Sequence, residues 1–427
     1  MLGQRMGDLA VEHKIKPPET SLTLNRDCHC WPVERQAIIN TILAQNAASN
    51  MDEMLSERPH YFANTGVFIS PDMLAAMTDQ IGTIEDVIKL PAYIKAVTAR
   101  SKLGFIPATK GVFMGYDFHV TENGPKLIEI NSNAGGAFIV DMIEKAVKSS
   151  SGHFAQDILA MFQSEWELAG KAGTFKTLAI VDTAPTEQFH YPDMCLAKSI
   201  LEAQGIAVVI ADPKSLTLEG GALFHGDMKI DVVYNRLTDF DLQESANQVL
   251  KSAYGTTAAV VTPAPHHHAL YADKRNLIML SDPVRAAALG ASPEQLKQLA
   301  EIPHTTPVTA EIGDDMWAKR RSLFFKPQGG FGSRGAFRGA KLTKKVWGEI
   351  LEGGYIAQEM VTPPLRAVTV GDQQTSLKFD VRVYTYDGAP LLLATRIYQG
   401  QTTNLRTEGG GLAAVIPVPT AAASCPI

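Results

Sequence analysis

Cysteine is scarce in this chain: four residues in 427, at positions 28, 30, 195 and 425. So few and so scattered, they argue against a disulfide framework and fit plain thiols in a reducing compartment. Cys28-His29-Cys30 also fails as half of a zinc site, because no second Cys/His pair follows at finger spacing and a one-residue gap is too short. Basic charge is short as well. Against 45 aspartates and glutamates there are 39 lysines and arginines, a formal net charge of −6, which argues against non-specific nucleic-acid binding by counterion release. No apolar stretch of about 18 residues is available to span a membrane, and the first thirty residues carry Glu12, Glu19 and Asp27 where a signal peptide would be apolar. These absences lead us to expect a cytoplasmic protein with no membrane and no nucleic-acid partner.

The remaining composition, 45% hydrophobic and 20% charged, is that of an ordinary globular chain long enough for two or three domains. Residues 1 to about 26, marked by Pro17-Pro18, read as a loosely tied arm. Helical spacing of apolar residues predicts a helix through 35–43. Ser70-Pro71 and Thr83 are caps for helices over 71–80 and 84–99. From 111 to 131 the pattern changes to two strands around Glu122-Asn123-Gly124-Pro125, a turn whose Asn-Gly pair tolerates positive φ. Residues 175–260 read as a separate α/β unit, with buried-type strands at 177–182, 206–212 and 230–236 and a helix over 193–204, implying a parallel sheet. A helix near 273–289 follows, and the last 110 residues or so read mostly as strands. The resulting division is 1–150, 175–260 and 261–427.

Three constellations carry chemistry. Asp117, Glu129 and Asn131 lie on neighbouring strands of the 111–131 hairpin and form an all-oxygen set of the kind Mg²⁺ takes, completed by water and phosphate oxygens. A polar hairpin face is the plainer reading of the same residues. Far downstream, a strand ends in Lys326 and runs into a loop holding Gly329, Gly330, Gly332 and Gly335. Such a loop lets backbone N–H groups approach phosphate. Its spacing is not that of a P-loop, and a glycine-rich hairpin without a ligand accounts for it equally. Finally, Asp380-x-Arg382, Arg396, Asn404 and Arg406 precede Gly409-Gly410-Gly411. Converging arginines would stabilise the charge on a transferring phosphoryl group, whereas isolated pairs would be surface salt bridges. The triplet His266-His267-His268 does not make a metal site, because adjacent residues on an extended chain face opposite ways. It reads as a loop beside the cleft.

With these residues assembled, the chain resembles the ATP-grasp superfamily of carboxylate-amine ligases, in the circularly permuted form of eukaryotic glutathione synthetase and glutathionylspermidine synthetase. The resemblance covers roughly residues 110–140 and 230–417. It implies an α+β and α/β architecture, with an ATP-grasp fold whose metal hairpin comes first and an inserted Rossmann-like parallel α/β substrate domain. By the same resemblance Asp117, Glu129 and Asn131 match the magnesium ligands, and Lys274 and Lys326 the lysines that grip phosphate. Gly329, Gly330 and Gly332 match the glycine loop, and Gln358-Glu359-Met360-Val361 the adenine hinge. Arg382, Arg396 and Arg406 are the implied catalytic arginines, with Asn404 on the nucleotide and Asn235, Arg236, Gly409 and Gly410 toward the substrate. ATP and Mg²⁺, as two ions, are the implied cofactors. The implied partners are a small-molecule carboxylate and an amine, and the implied oligomer a homodimer. The chain departs from the family at Gly115, two residues before Asp117, where an arginine is usual. The phosphate clamp must then come from Arg382, Arg396 or Arg406. No motif for cysteine, glutathione or spermidine is present. The expected reaction is amide formation through an acyl phosphate; a small-molecule kinase and a non-catalytic nucleotide-binding module are the other readings.

Overall fold

The structure, a computed structural model, describes residues 20–28, 32–45, 47–100, 106–330, 332 and 334–418. Its central sheet is antiparallel, in the order Gly411–Ala413, Ala389–Tyr398, Gln373–Tyr386, Met114–Thr121, Gly124–Asn131, with Leu365–Val370 also pairing with Gln373–Tyr386. The N-terminal hairpin is thus built into a sheet made from the end of the chain. Period-2 alternation explains which face is which. Tyr116, Phe118, Val381 and Val383 belong to an apolar core with Met77, Ile81, Ile84 and Ile88 of the helix Pro71–Ile88. Asp117, Asp380 and Arg382 alternate with these core positions along the same strands, and Glu129 precedes the core residue Ile130 on the neighbouring one.

The hairpin turn closes as expected, with Thr121 opposite Gly124, although only Gly124 takes a positive φ. The register then slips: Asp117 faces Glu129 but Phe118 faces Leu127, so Ile128 is an extra residue in a β-bulge.

A second antiparallel sheet orders Thr305–Pro307, Tyr355–Glu359, Leu323–Pro327 and Phe337–Arg338 around its own core of Phe325, Trp347, Ile350 and Ala357. The strands of the last 110 residues or so are therefore divided between two sheets: 365–413 joins the hairpin, while 323–359 builds a separate sheet. The glycine loop connects Leu323–Pro327 to Phe337–Arg338.

The third sheet is parallel, in the order Val260–Thr262, Val232–Asn235, Thr177–Val181, Ala207–Ala211, with the helix Tyr191–Glu202 crossing between Thr177–Val181 and Ala207–Ala211. Three of these strands match those expected at 177–182, 206–212 and 230–236, and Val260–Thr262 adds a fourth. A three-stranded meander, Leu216–Glu219, Ala222–His225 and Met228–Ile230, had not been expected, although Gly220-Gly221 and Gly226-Asp227 mark its two turns.

Other boundaries moved. The break expected at Thr83 is absent, because Ile81, Ile84 and Ile88 continue one apolar face, and the helix stops before Pro91 opens the next one, Pro91–Thr98. The helix near 273–289 is two, Asn276–Leu280 and Pro283–Ala288, because Asp282 caps a new start at Pro283. Residues 20–27 are not loose. Ser21–Asp27 is a helix pinned by Asn25, whose amide both donates to Phe68 O (2.7 Å) and accepts from Phe68 N (2.9 Å). The arm before Thr20, the pair His29-Cys30 and the tail from 419 lie outside the described residues. Cys28 is disulfide-bonded, against the expectation of plain thiols, and Cys195 is a buried free thiol. No helix among the described residues is long and apolar enough to cross a membrane.

Candidate functional site

The three sheets meet around a cavity of about 360 Å³. The central sheet forms its floor with Asp117, Glu129, Asn131, Asp380, Arg382 and Arg396. One wall comes from the second sheet and its loop (Lys326, Gly330, Gly332, Gln358, Glu359, Met360, Val361), with Lys274 also lining the cavity. The parallel unit supplies Asp182, His190 and Arg236 on the other side.

On the floor, Asp117 stands opposite Arg382 across one strand pair and opposite Glu129 across the next. Arg382 Nε and Nη2 donate to Asp117 Oδ1 and Oδ2 at 2.6 and 2.7 Å, and Arg396 Nη2 reaches Oδ2 at 2.8 Å. Arg396 Nε also donates to Asp380 at 2.7 Å. Burial alone would raise the Asp117 carboxyl, but the two guanidiniums outweigh it and hold the group below its ordinary range. Asp380, where burial prevails, is raised. The chain between Asp117 and Arg382 explains the departure at Gly115: a Cβ there would lie 2.7 Å from Ala134 Cβ and 3.3 Å from Arg382 Nε. Ala134, with Arg382 beside it, occupies the space a side chain at 115 would need.

Glu129 and Asn131 follow on the same face of the second hairpin strand. Asn131 Nδ2 donates to Asp117 Oδ2 at 3.0 Å, so its Oδ1 is turned away. Among the described residues neither Asn131 Oδ1 nor the Glu129 carboxylate has a hydrogen-bond or ion-pair partner. Asp117 Oδ1 accepts a single bond and keeps a lone pair. Two carboxylates and an amide thus offer hard oxygens to a divalent cation. No cluster of three His, Cys, Asp or Glu among the described residues could do so. That set fits Mg²⁺, which takes one or two carboxylates and completes its shell with water and phosphate oxygens.

The bulge at Ile128 has a consequence across the cleft. Lys326 Nζ donates to Ile128 O and to Gln358 Oε1, both at 2.8 Å. Burial lowers this ammonium to about 8, with Lys274 adding to the effect and Glu129 and Asp117 opposing it. Lys326 is therefore held at the residue preceding Glu129, which brings the strand that ends in the glycine loop against the N-terminal hairpin. Lys274 Nζ donates to Gly330 O at 2.6 Å and ties down the glycine loop. Gln358 Nε2 is a buried donor with no partner, and among the described residues the Val361 N–H makes no hydrogen bond either. Two open donors beside a lysine are what a purine ring's nitrogens would accept from. His119 is buried at the cavity wall and donates from Nδ1 to Val361 O at 3.2 Å in its neutral form. Burial lowers its pKa to about 4.

On the substrate side Arg236 is buried. Its Nη1 donates to Asn133 O at 2.7 Å, while Nε and Nη2 make no hydrogen bond among the described residues. A Cβ on Gly135 would come within 2.5 Å of Arg236 Nη2, so glycine is what admits this guanidinium. Asp182 lies nearby, raised to about 6 by burial against the opposing pull of Arg236. His190 is held neutral, chiefly by burial and then by Arg236, with its pKa lowered to about 3.

Six expected residues are not brought to the cavity lining. Arg406 is exposed, and Asn404 spends its side chain inside its own loop, donating to Gln399 O and accepting from Arg406 N and Thr407 Oγ1. Gly409 and Gly410 serve packing: a Cβ at Gly409 would meet Val370 Cγ2 at 2.5 Å and one at Gly410 would meet Ile397 O at 2.4 Å. Asn235 is consumed by Pro263 O and Leu237 N, and Gly329 is exposed. Conversely, the sequence reading missed Asn133, Gly135 and Asp182. Gly135-Gly136, separated by three residues from Glu129-x-Asn131 and directly before the helix Ala137–Ala146, was a usable signal. Of the histidine triplet, His266 and His267 are buried on Tyr254 Oη and Thr109 O at 2.9 Å, and only His268 lines the cavity, stacked on Phe240 at 3.9 Å.

No family model matches the chain, and no curated protein matches its sequence. Solved structures do. A glutathione synthetase-like effector from Globodera pallida, in its apo form, superposes over 91% of this chain and 100% of its own at 12% identity, with a TM-score of 0.55. A putative gamma-glutamylcysteine synthetase from Methylobacillus flagellatus KT covers 78% of this chain and 83% of its own at 10% identity and a TM-score of 0.47. The ATP-grasp ligase PsnB, complexed with a minimal precursor, covers 58% and 91% at 14% identity and a TM-score of 0.32. The first likeness identifies the fold; the other two are too distant to carry an argument.

Proposed function

The chain has the ATP-grasp fold, and from that premise we propose that it is an ATP- and Mg²⁺-dependent ligase that joins a carboxylate to an amine through an acyl phosphate. The observation that carries this reading is the convergence, in one cavity, of the unpartnered oxygens of Glu129 and Asn131 with Lys326, the Lys274-tethered loop and the Arg382–Arg396 pair. We read the chain as circularly permuted, since its hairpin precedes the strands it pairs with, and as divided into units 1–150, 175–260 and 261–427.

In this reading Gln358 Nε2 and the Val361 N–H hold the adenine, and Lys326, Lys274 and the glycine loop hold the phosphates. Glu129 and Asn131, with the free lone pair of Asp117, would hold magnesium, which when bound neutralises phosphate charge and aligns the transferring group. Arg382 and Arg396, fixed by Asp117 and Asp380, face the position where charge spreads over the phosphoryl oxygens, and being already oriented they need no reorganisation there. The open edge of Arg236 binds a substrate carboxylate. The substrate carboxylate attacks the γ-phosphorus and releases ADP; the amine then attacks the acyl carbon and phosphate leaves. No side chain forms a covalent bond.

The test is a screen of amino acids, peptides and polyamines for stimulated ADP release, with hydroxylamine added to trap the intermediate. A ligase yields a hydroxamate. ADP release with a stable phosphate ester and no hydroxamate would make the protein a kinase, and Glu129→Gln turning over as fast as wild type would remove the metal assignment.

A further inference from the structure

Outside the cavity, the second sheet carries charge that the nucleotide reading does not use. From Met316 to Gly348 the sequence holds nine lysines and arginines and no aspartate or glutamate, in a chain whose net charge is −6. Only Lys326 and Arg334 of the nine line the cavity. Lys319, Arg321, Arg338, Lys341, Lys344 and Lys345 are exposed, and among the described residues none of these six pairs with a carboxylate.

The fold gathers these side chains. Arg320 and Lys344 both lie on the Trp317 ring, at 4.0 and 4.1 Å from its centroid. Gly339 presses on the backbone of Arg320 so closely that a Cβ would sit 1.8 Å from Arg320 O, which brings Arg338 and Lys341 beside that pair. On the far side Lys378 donates to Gly400 O, and its ammonium is lowered by burial and then by the like charges of Arg338 and Lys341. The patch runs to the cavity mouth, where the Arg338 N–H donates to Gln401 Oε1 (3.2 Å) and Gln401 lines the cavity. Unpaired like charges held together repel one another at a cost to stability, and the cost is repaid when an anion binds.

We propose that this face is a docking surface for an acidic polypeptide segment, rich in aspartate and glutamate, that lies across Lys341, Arg338 and Lys378 and leads into the cavity mouth. Carboxylates suit the surface better than nucleic acid does. Trp317, beside these charges, has cations over its ring, which takes that ring out of base stacking.

Fluorescence anisotropy with labelled octaglutamate and octaglutamine on the full chain tests the proposal, with calorimetric Mg-ATP binding measured in parallel so that failure of the ligase reading is seen separately. Octaglutamate is expected to bind with an affinity that falls as salt rises, and octaglutamine not to bind. Arg338→Glu/Lys341→Glu is expected to weaken octaglutamate about tenfold or more and leave Mg-ATP affinity unchanged; Arg338→Gln/Lys341→Gln, a milder neutralisation, is expected to weaken it in the same direction if charge reversal impairs folding. The proposal is overturned if octaglutamate does not bind, if octaglutamine binds as well, or if the folded variants bind like wild type. It is also overturned if an oligothymidylate binds more tightly than octaglutamate through the same residues.

Discussion

Asp117 is the position where the structure makes its most exact demand, and Asp117→Asn tests it. The substitution keeps the shape and removes the charge. Arg382 then loses the carboxylate to which it donates at 2.6 and 2.7 Å, while Arg396 keeps Asp380 at 2.7 Å. Breaking one buried pair while leaving the partner charged costs about 3–5 kcal/mol, and the asparagine amide would point a donor at a guanidinium. We therefore expect urea unfolding followed by circular dichroism at neutral pH to show a loss of about 3–5 kcal/mol, read from the midpoint at unchanged slope. The double variant Asp117→Asn/Arg382→Met removes the stranded charge as well and should recover most of that loss, a coupling only a direct pair produces. pH provides an independent check. The folded-state pKa of Asp117 is depressed, so its contribution is present above the unfolded value near 4 and is lost as pH falls through the folded value. The gap between wild type and Asp117→Asn should close over that interval. A single variant within about 1 kcal/mol of wild type, or a double variant no better than the single, would refute the clamp.

Lys326→Met should weaken Mg-ATP about 10- to 100-fold by calorimetry, the scale of a lost charge-assisted bond. In wild type the buried ammonium is depressed from 10.5 to about 8, so the unfolded chain binds more protons between those values and stability should rise with pH there, by an amount on the order of 3 kcal/mol, while Lys326→Met stays flat. Arg406→Ala, off the cavity, should leave nucleotide affinity and turnover unchanged, whereas Gly410→Ala, which drives a methyl against Ile397 O, should lower stability by about 1–3 kcal/mol in the same urea assay. Gly135→Ala should displace Arg236 and raise the KM of the carboxylate substrate with little change in the KM of ATP.

Much of the site was legible because its signals are local. The Asn123-Gly124 turn announces a hairpin, i and i+2 spacing puts Glu129 and Asn131 on one face, and a lysine before a run of glycines marks a loop that can approach phosphate. The errors came where position in the fold overrides residue type. Arg396 and Arg406 look alike in sequence, but one sits on a strand opposite Asp380 and the other on an exposed loop. Gly115, Gly135, Gly409 and Gly410 are all glycines, and only their neighbours distinguish the two that make room for guanidiniums from the two that let strands and loops pack.

The sequence by itself determined the hairpin, the parallel α/β unit, the lysines and the oxygen donors, since turn chemistry and apolar periodicity act over a few residues. Only the tertiary structure decided that Asp117 is clamped by Arg382 and Arg396, that a bulge turns Ile128 O toward Lys326, and that 323–359 forms a sheet of its own. Those facts depend on the register between strands distant in the chain and on burial, which no local pattern specifies.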